Sequence, residues 1–237
     1  MIRSIDEITD ETADPERRTY TSALGWIAAA IGVTIYAVLC AIVWHRTGAE
    51  SWEWRIMSAA ERHPLWGAGK WQSLFDPTPF ALIAITIAGV ALWDRRPRLA
   101  FSGIAGCVIA AVAAEHLFKP FVERRQPYHW SPWFPDHHRG FVTFPSAHVT
   151  AAAACAMFAW FVLSRYTRLA LFVFVVPAAV AWAMVALELH YPADTVAGFI
   201  LGVLTVCAAV LGTYRVFGRD VVTTVERPSG RDPLGSS

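Results

Sequence analysis

His190 and Asp194 stand four residues apart, with Pro192 forcing a turn between them. An Asp beside an imidazole can accept the Nδ1 proton, which fixes the tautomer, leaves Nε2 free to attack and stabilises the imidazolium. The plainer reading is a histidine that merely caps a helix end. A second stretch runs Pro145-Ser146-Ala147-His148. Pro and Ser there suit a helix start, with Ser146 as its cap. The free N–H groups of such an end, near Ala147, together with the Ser146 hydroxyl, can hold a phosphate. His148, on the first turn, can give a proton to a leaving oxygen. Read alone, this stretch is equally a capped helix with an interfacial histidine. The third stretch is Lys119 to Pro127, where Lys119, Arg124 and Arg125 supply fixed positive charge. Phosphoryl transfer spreads negative charge over three oxygens, and such cations stabilise it. A snorkelling lysine and ordinary loop arginines are the alternative. Glu115 lies one turn before Lys119 and can pair with it.

These groups need elements that bring them to one place. Of the 237 residues, 55% are hydrophobic and 16% charged, and the mean hydropathy is +0.40. Soluble domains carry about 25% charged residues. Disorder, collagen and coiled coil are excluded, and a soluble enzyme is disfavoured. The net charge of +1 gives no reason to expect a nucleic-acid partner. Six runs, 22–44, 78–93, 99–118, 146–163, 169–189 and 195–214, approach the about 17–25 residues needed to cross a bilayer. Lipid cannot satisfy open backbone groups, so such runs are helices. The expected fold is all-α, an integral membrane bundle of six transmembrane helices. Residues 1–20 form an N-terminal segment, 21–214 the membrane domain and 215–237 a tail.

The short segments 94–98 and 164–168, with both terminal stretches, hold 12 of the 20 Lys and Arg. Short basic loops mark the cytoplasmic side, so both termini are expected there and the long segments 45–77 and 119–145 outside. All three chemical stretches then fall at the outer face. Tryptophans such as Trp44, Trp52, Trp54, Trp66, Trp93, Trp130 and Trp133 sit near span ends or in the outer loops, as interfacial belts require. Segment 49–75 is amphipathic and suits the membrane surface. Residues 1–18 are acidic and polar, unlike a signal peptide. The cysteines Cys40, Cys107, Cys155 and Cys207 lie inside apolar runs with no metal or redox spacing, and read as small buried hydrophobes.

Taken in order, the three stretches resemble the motifs of the type 2 phosphatidic acid phosphatase superfamily, the lipid phosphate phosphatases. The pattern there is Lys-x6-Arg-Pro, then Pro-Ser-Gly-His, then Ser-Arg-x5-His-x3-Asp. Lys119 and Pro127 match the ends of the first, Pro145, Ser146 and His148 the second, His190 and Asp194 the third. The resemblance covers roughly residues 20–214. It implies removal of phosphate from a polyprenyl or glycerolipid phosphate or diphosphate without metal or other cofactor. His190 would form a phosphohistidine, Asp194 would orient it, and His148 would protonate the leaving group and then activate water. Lys119, Ser146 and the N–H groups near Ala147 would hold the phosphate. The compact form suits a plasma (inner) membrane, with the site facing outward.

Two positions depart from the pattern. The arginine of the first motif is Gln126, and the Ser-Arg pair of the third falls on Ala183 and Met184. Arg124, Arg125 or Arg139 would have to substitute. Losing one preorganised donor costs about 2.7–4 kcal/mol of transition-state stabilisation. A non-catalytic lipid-phosphate binder and a phosphotransferase therefore stand beside the hydrolase. So does a metal site or transporter built from Asp136, His137, His138, His148, His190 and Asp194, although histidines at one outer rim do not suit a midplane transport path.

Overall fold

Proline sets where several helices begin. In the computed structural model, which describes residues 15–44, 50–124, 127, 142–164, 166 and 168–217, α4 (Pro77–Trp93), α5 (Pro97–Val112) and α9 (Pro192–Phe217) each open on one. Its missing N–H is an orphan at a helix start anyway, and its fixed φ already suits the first turn. The other elements are α1 (Pro15–Val43), α2 (Ser51–Arg62), α3 (Ala68–Ser73), α6 (Lys119–Val122), α7 (Ala147–Leu163) and α8 (Val175–Ala186). Among the described residues there is no strand, so the fold is all-α as expected.

Apolar helices fall where hydropathy places them. Pro97–Val122 and Pro192–Phe217, of 26 residues each, are long and apolar enough to cross a bilayer. Ile27–Val43, Pro77–Trp93, Ala147–Leu163 and Ala170–Ala186 are shorter apolar stretches. The outer surface of these helices is apolar. Ile27, Ile31, Ile35 and Ile42 of α1, Leu82 and Ile85 of α4 and Phe101, Val108 and Ile109 of α5 are all exposed. Water would penalise such a surface and lipid would not, so the chain is a membrane protein.

Two helices are less regular than their hydropathy, each at a proline. The run expected at 99–118 continues to Val122 through a π-helical stretch, Ala113–Phe118, followed by α6. Pro120 lacks an N–H and crowds the carbonyl four residues back, at His116, which widens the turn. The run expected at 169–189 opens as a 3₁₀ helix, Arg168–Phe174, before α8. Pro177 likewise offers no N–H to the carbonyl of Val173, and the chain before it winds in the tighter 3₁₀ form.

Helix α7 is the hub. Val149 to Phe158 are all buried, and five of them are alanines. It packs most closely on α9, where two glycines permit backbone contact. A Cβ on Gly198 would stand 2.6 Å from the Ser146 carbonyl oxygen, and one on Gly202 would collide with that of Thr150. In α5, Gly103 makes room for the Phe158 ring. Small residues at such crossings let membrane helices meet without a hydrophobic driving force. Within the segment expected at the membrane surface lie the two short helices α2 and α3. Met57 and Ala60 of α2 pack with Val185 and Tyr191, and the Trp182 Nε1–H donates to the His63 carbonyl oxygen at 2.9 Å. One face of α2 is thereby closed onto the bundle, while Trp52 and Trp54 on the rest of it are exposed.

Candidate active site

The C-terminal ends of α6 and α8 and the N-terminal ends of α4, α7 and α9 meet at one end of the bundle, with α2 laid across it. The chain leaves α8 through a turn at Glu188, which takes a left-handed conformation (φ 56°). The Leu189 and His190 N–H groups both return to the Met184 carbonyl oxygen, at 3.0 and 3.3 Å. Backbone at one of the departing motif positions therefore holds His190 in place, although Ala183 and Met184 are themselves wholly buried.

Asp194 lies on the first turn of α9 and is fully buried. Its Oδ2 accepts the Tyr191 N–H at 3.1 Å and faces His190 Nδ1 at 3.7 Å. That separation is beyond hydrogen-bond range, and His190 Nδ1 is buried with no partner among the described residues. Catalytic contacts are often long in an unliganded site and tighten on binding. Asp194 Oδ1 accepts from Arg124 Nη1 at 2.7 Å. Arg124 also forks onto Glu53, Nη2 to Oε2 at 2.6 Å and Nη1 to Oε1 at 3.2 Å. The side chains of Glu53, Arg124 and Asp194 are all 0% exposed. Burial by itself would lower the Arg124 pKa, but Asp194 and Glu53 outweigh it and hold the guanidinium above its ordinary value. The Tyr191 ring lies under the guanidinium, 3.9 Å away. Burial pushes the Tyr191 hydroxyl up to about 12, so it stays neutral.

Ser146 stands at the N-cap of α7, but its side chain caps nothing. Its N–H donates to the Asp194 carbonyl oxygen at 3.0 Å, its own carbonyl oxygen accepts from Thr150 Oγ1 at 2.8 Å, and its Oγ is buried with no partner among the described residues. A buried hydroxyl without a partner is rare and is suited to a polar guest. His148, two residues on, places Nε2 3.2 Å from Asp76 Oδ1, with His190 and Lys119 near enough to act on it. Lys119 Nζ pairs with Glu115 Oε1 at 2.6 Å, as the i,i+4 spacing anticipates. The arrangement can present a nucleophilic imidazole, a second imidazole across from it, and hydroxyl and N–H donors at a helix start.

Comparison with known proteins places the fold. Residues 100–217 match the family described as the PAP2 superfamily. The chain belongs to the PAP2 superfamily. Two curated relatives, from Mycobacterium tuberculosis strains CDC 1551 / Oshkosh and ATCC 25618 / H37Rv, are each named decaprenylphosphoryl-5-phosphoribose phosphatase. Each is 34% identical over 121 residues, 51% of this chain and 64% of the relative, so the match spans under two thirds of their length. Among solved structures, the first transmembrane PAP2 type phosphatidylglycerolphosphate phosphatase from Bacillus subtilis has the same fold. Its TM-score is 0.65 at 20% identity, over 80% of this chain and 96% of that one.

Of the residues singled out in the sequence, His190, His148, Asp194, Ser146, Ala147 and Lys119 come to this one end of the PAP2 bundle. Arg124 comes there too, but not as an open phosphate ligand. It is sealed between two carboxylates and sits behind Asp194. Arg125, Gln126, Asp136, His137, His138 and Arg139 lie outside the described residues, as do Trp130 and Trp133. Among the described residues no group of three or more His, Cys, Asp or Glu is arranged to hold a metal ion.

Sequence reading missed Glu53, Asp76 and Tyr191. Glu53, Met57 and Ala60 share one face of α2, and a carboxylate on the apolar stripe of an amphipathic helix asks for a buried partner. Asp76 precedes Pro77 and reads as an ordinary helix cap. Tyr191 carried no signal beyond its place between His190 and Asp194.

Proposed function

We propose that this chain is a membrane-embedded phosphatase of lipid phosphates that works through a phosphohistidine, with no metal. The observation that carries the reading is the convergence of His190, Asp194 and Ser146: Asp194 Oδ2 faces His190 Nδ1 at 3.7 Å while its backbone oxygen holds the Ser146 N–H at 3.0 Å. A phosphate seated at the start of α7 would meet the Ser146 hydroxyl, the N–H groups near Ala147 and the Lys119 ammonium. His190 Nε2 attacks phosphorus and the bond from phosphorus to the lipid-side oxygen breaks. His148 gives that oxygen its proton. His148 then takes a proton from water, hydroxide attacks phosphorus, the N–P bond breaks and inorganic phosphate leaves. Asp76 orients His148 as Asp194 orients His190.

In this reading residues 21–214 form a six-span domain, both termini face the cytoplasm and the site opens outward at the plasma (inner) membrane. The basic loop Arg95-Arg96-Pro97-Arg98 lies at the end of α5 opposite Lys119, which supports that orientation. Polyprenyl-linked phosphates lead the candidate substrates because the curated relatives are named for decaprenylphosphoryl-5-phosphoribose. A specific observation favours one second reading: Arg124 is committed to Glu53 and Asp194, so a lipid-phosphate binder without turnover is the competitor.

The test is phosphate release from a panel of polyprenyl and glycerolipid phosphates by the full chain in detergent, with and without chelator. His190→Ala is expected to lower turnover by about 10³-fold or more, and chelator to leave it unchanged. Full activity in His190→Ala, or loss of activity in chelator, refutes the mechanism. Phosphate-dependent lipid binding with no release by the parent chain selects the binder.

A further inference from the structure

We propose that Glu53 and Arg124 form a buried positioning pair that fixes the aim and the charge of Asp194, so that a helix outside the PAP2 match sets how much negative charge faces His190. The proposal rests on the phosphatase reading above.

The geometry leaves Asp194 little freedom. Arg124 holds Oδ1 at 2.7 Å and the Tyr191 N–H holds Oδ2 at 3.1 Å, which turns Oδ2 toward His190. Arg124 is in turn fixed by the fork onto Glu53 and by the Tyr191 ring beneath it. Glu53 is fixed from two sides. Its Oε2 accepts the Glu50 N–H at 2.9 Å within α2, and its Oε1 accepts the Ala193 N–H at 3.3 Å on the first turn of α9. One carboxylate thus ties the α2 helix to the helix that carries Asp194.

The charges explain why a third group is needed. Arg124 against Asp194 alone is a neutral pair, and its guanidinium cancels most of the pull that Asp194 exerts on a positive imidazole. Glu53 restores one surplus negative charge to the buried cluster. Stability does not call for this, since apolar packing of the same volume generally serves a helix junction as well. What three buried charges supply is a carboxylate of fixed orientation and undiminished charge. The groups that act on His190 are then Asp194 from α9, His148 from α7, and Arg124 and Glu53 behind Asp194. Asp76 and Lys119 act on His148 in turn.

The full chain in detergent is assayed with a short-chain lipid phosphate for kcat, KM and the pH dependence of both, alongside thermal unfolding. Glu53→Gln keeps the shape and removes the charge. It is expected to lower kcat about tenfold with KM within about twofold, and to move the acid limb of the pH–rate profile down by about half a unit or more, because positive charge near His190 is less favoured. Adding Arg124→Gln removes the cancelling cation as well, and the limb is expected to return toward its original position. A Glu53→Gln protein that unfolds earlier yet keeps kcat and the acid limb overturns the proposal, as does a double variant whose limb stays with the single one. If Glu53→Gln does not fold, Glu53→Asp decides: kcat falls while the limb stays, and a moved limb with the charge intact overturns the idea. Release by the parent no greater than by His190→Ala removes the phosphatase reading and this proposal with it. Clear release by the parent alongside an unmoved Glu53→Gln removes only the pair.

Discussion

At one end of the bundle Arg96 is half-buried, donating from Nη1 to the Phe161 carbonyl oxygen at 3.2 Å and from Nη2 to the Tyr214 hydroxyl at 3.4 Å. At the other end Arg124 is wholly buried between two carboxylates. Both arginines tie several elements together. Arg96 joins α5, α7 and α9 through neutral acceptors next to an exposed basic loop, where water and headgroups can replace any lost partner. Arg124 joins α2 and α9 through charges that nothing else can solvate. Removing a partner from an exposed cation costs little, whereas stranding a buried one is expensive. The contrast teaches that a buried charge cluster specifies a geometry, while a rim arginine secures helices that would pack without it.

The sharpest way to break the contrast is to disturb the packing beneath each end. Gly198 sits under the site, where an added Cβ would press on the Ser146 carbonyl oxygen at 2.6 Å. Gly212, toward the other end of the same helix, has nothing within 4 Å. Gly198→Ala is expected to push α9 from α7, part Ser146 from Asp194, and cut turnover by about a hundredfold, with about 1–3 kcal/mol of stability lost. Gly212→Ala is expected to leave turnover unchanged and to add about 0.5–1 kcal/mol, since glycine only weakens an open helical position. Equal effects in the two assays would mean that the site does not depend on close approach of these helices.

The site end carries a smaller asymmetry within itself. Asp194 is buried behind His190, whereas Asp76, on His148, is about half exposed. Water can partly replace a surface partner, so Asp76→Asn is expected to lower turnover only about tenfold, with the loss in kcat rather than KM. The measurement is steady-state kinetics on a soluble lipid phosphate. A loss as deep as that of His190→Ala would place Asp76 in the reaction itself.

How far the sequence foretold this depends on which physical signal each residue leaves. The apolar helices were legible because lipid demands long apolar runs, and proline and glycine mark where they start and touch. His148, His190 and Asp194 were legible because titratable groups at membrane depth are costly and stand out against alanine and valine. Arg124 was legible as a charge but its buried partners were not, because a sequence does not show that Glu53, 71 residues earlier, reaches it. Ser146 was legible both as a cap and as a phosphate donor, and in the fold its Oγ caps nothing while its N–H goes to the Asp194 carbonyl oxygen. The irregular turns at Pro120 and Pro177 follow from rules that hydropathy runs ignore.

The gentlest test concerns the arginine at the end away from the site. Arg96→Gln keeps a hydrogen-bonding head but shortens the reach to Phe161 and Tyr214. Each bond runs to a neutral acceptor in a partly exposed place, so the expected loss is about 1 kcal/mol of stability, read as a modest drop in the thermal midpoint. Turnover is expected to stay within about twofold, because the helix positions that matter to His190 are set by the glycine contacts and by the Glu53–Arg124–Asp194 cluster rather than by this tie. Should Arg96→Gln instead slow turnover as strongly as Asp76→Asn while the protein remains folded, the two ends would be mechanically coupled, and the division between a specifying cluster and a securing rim would have to be given up.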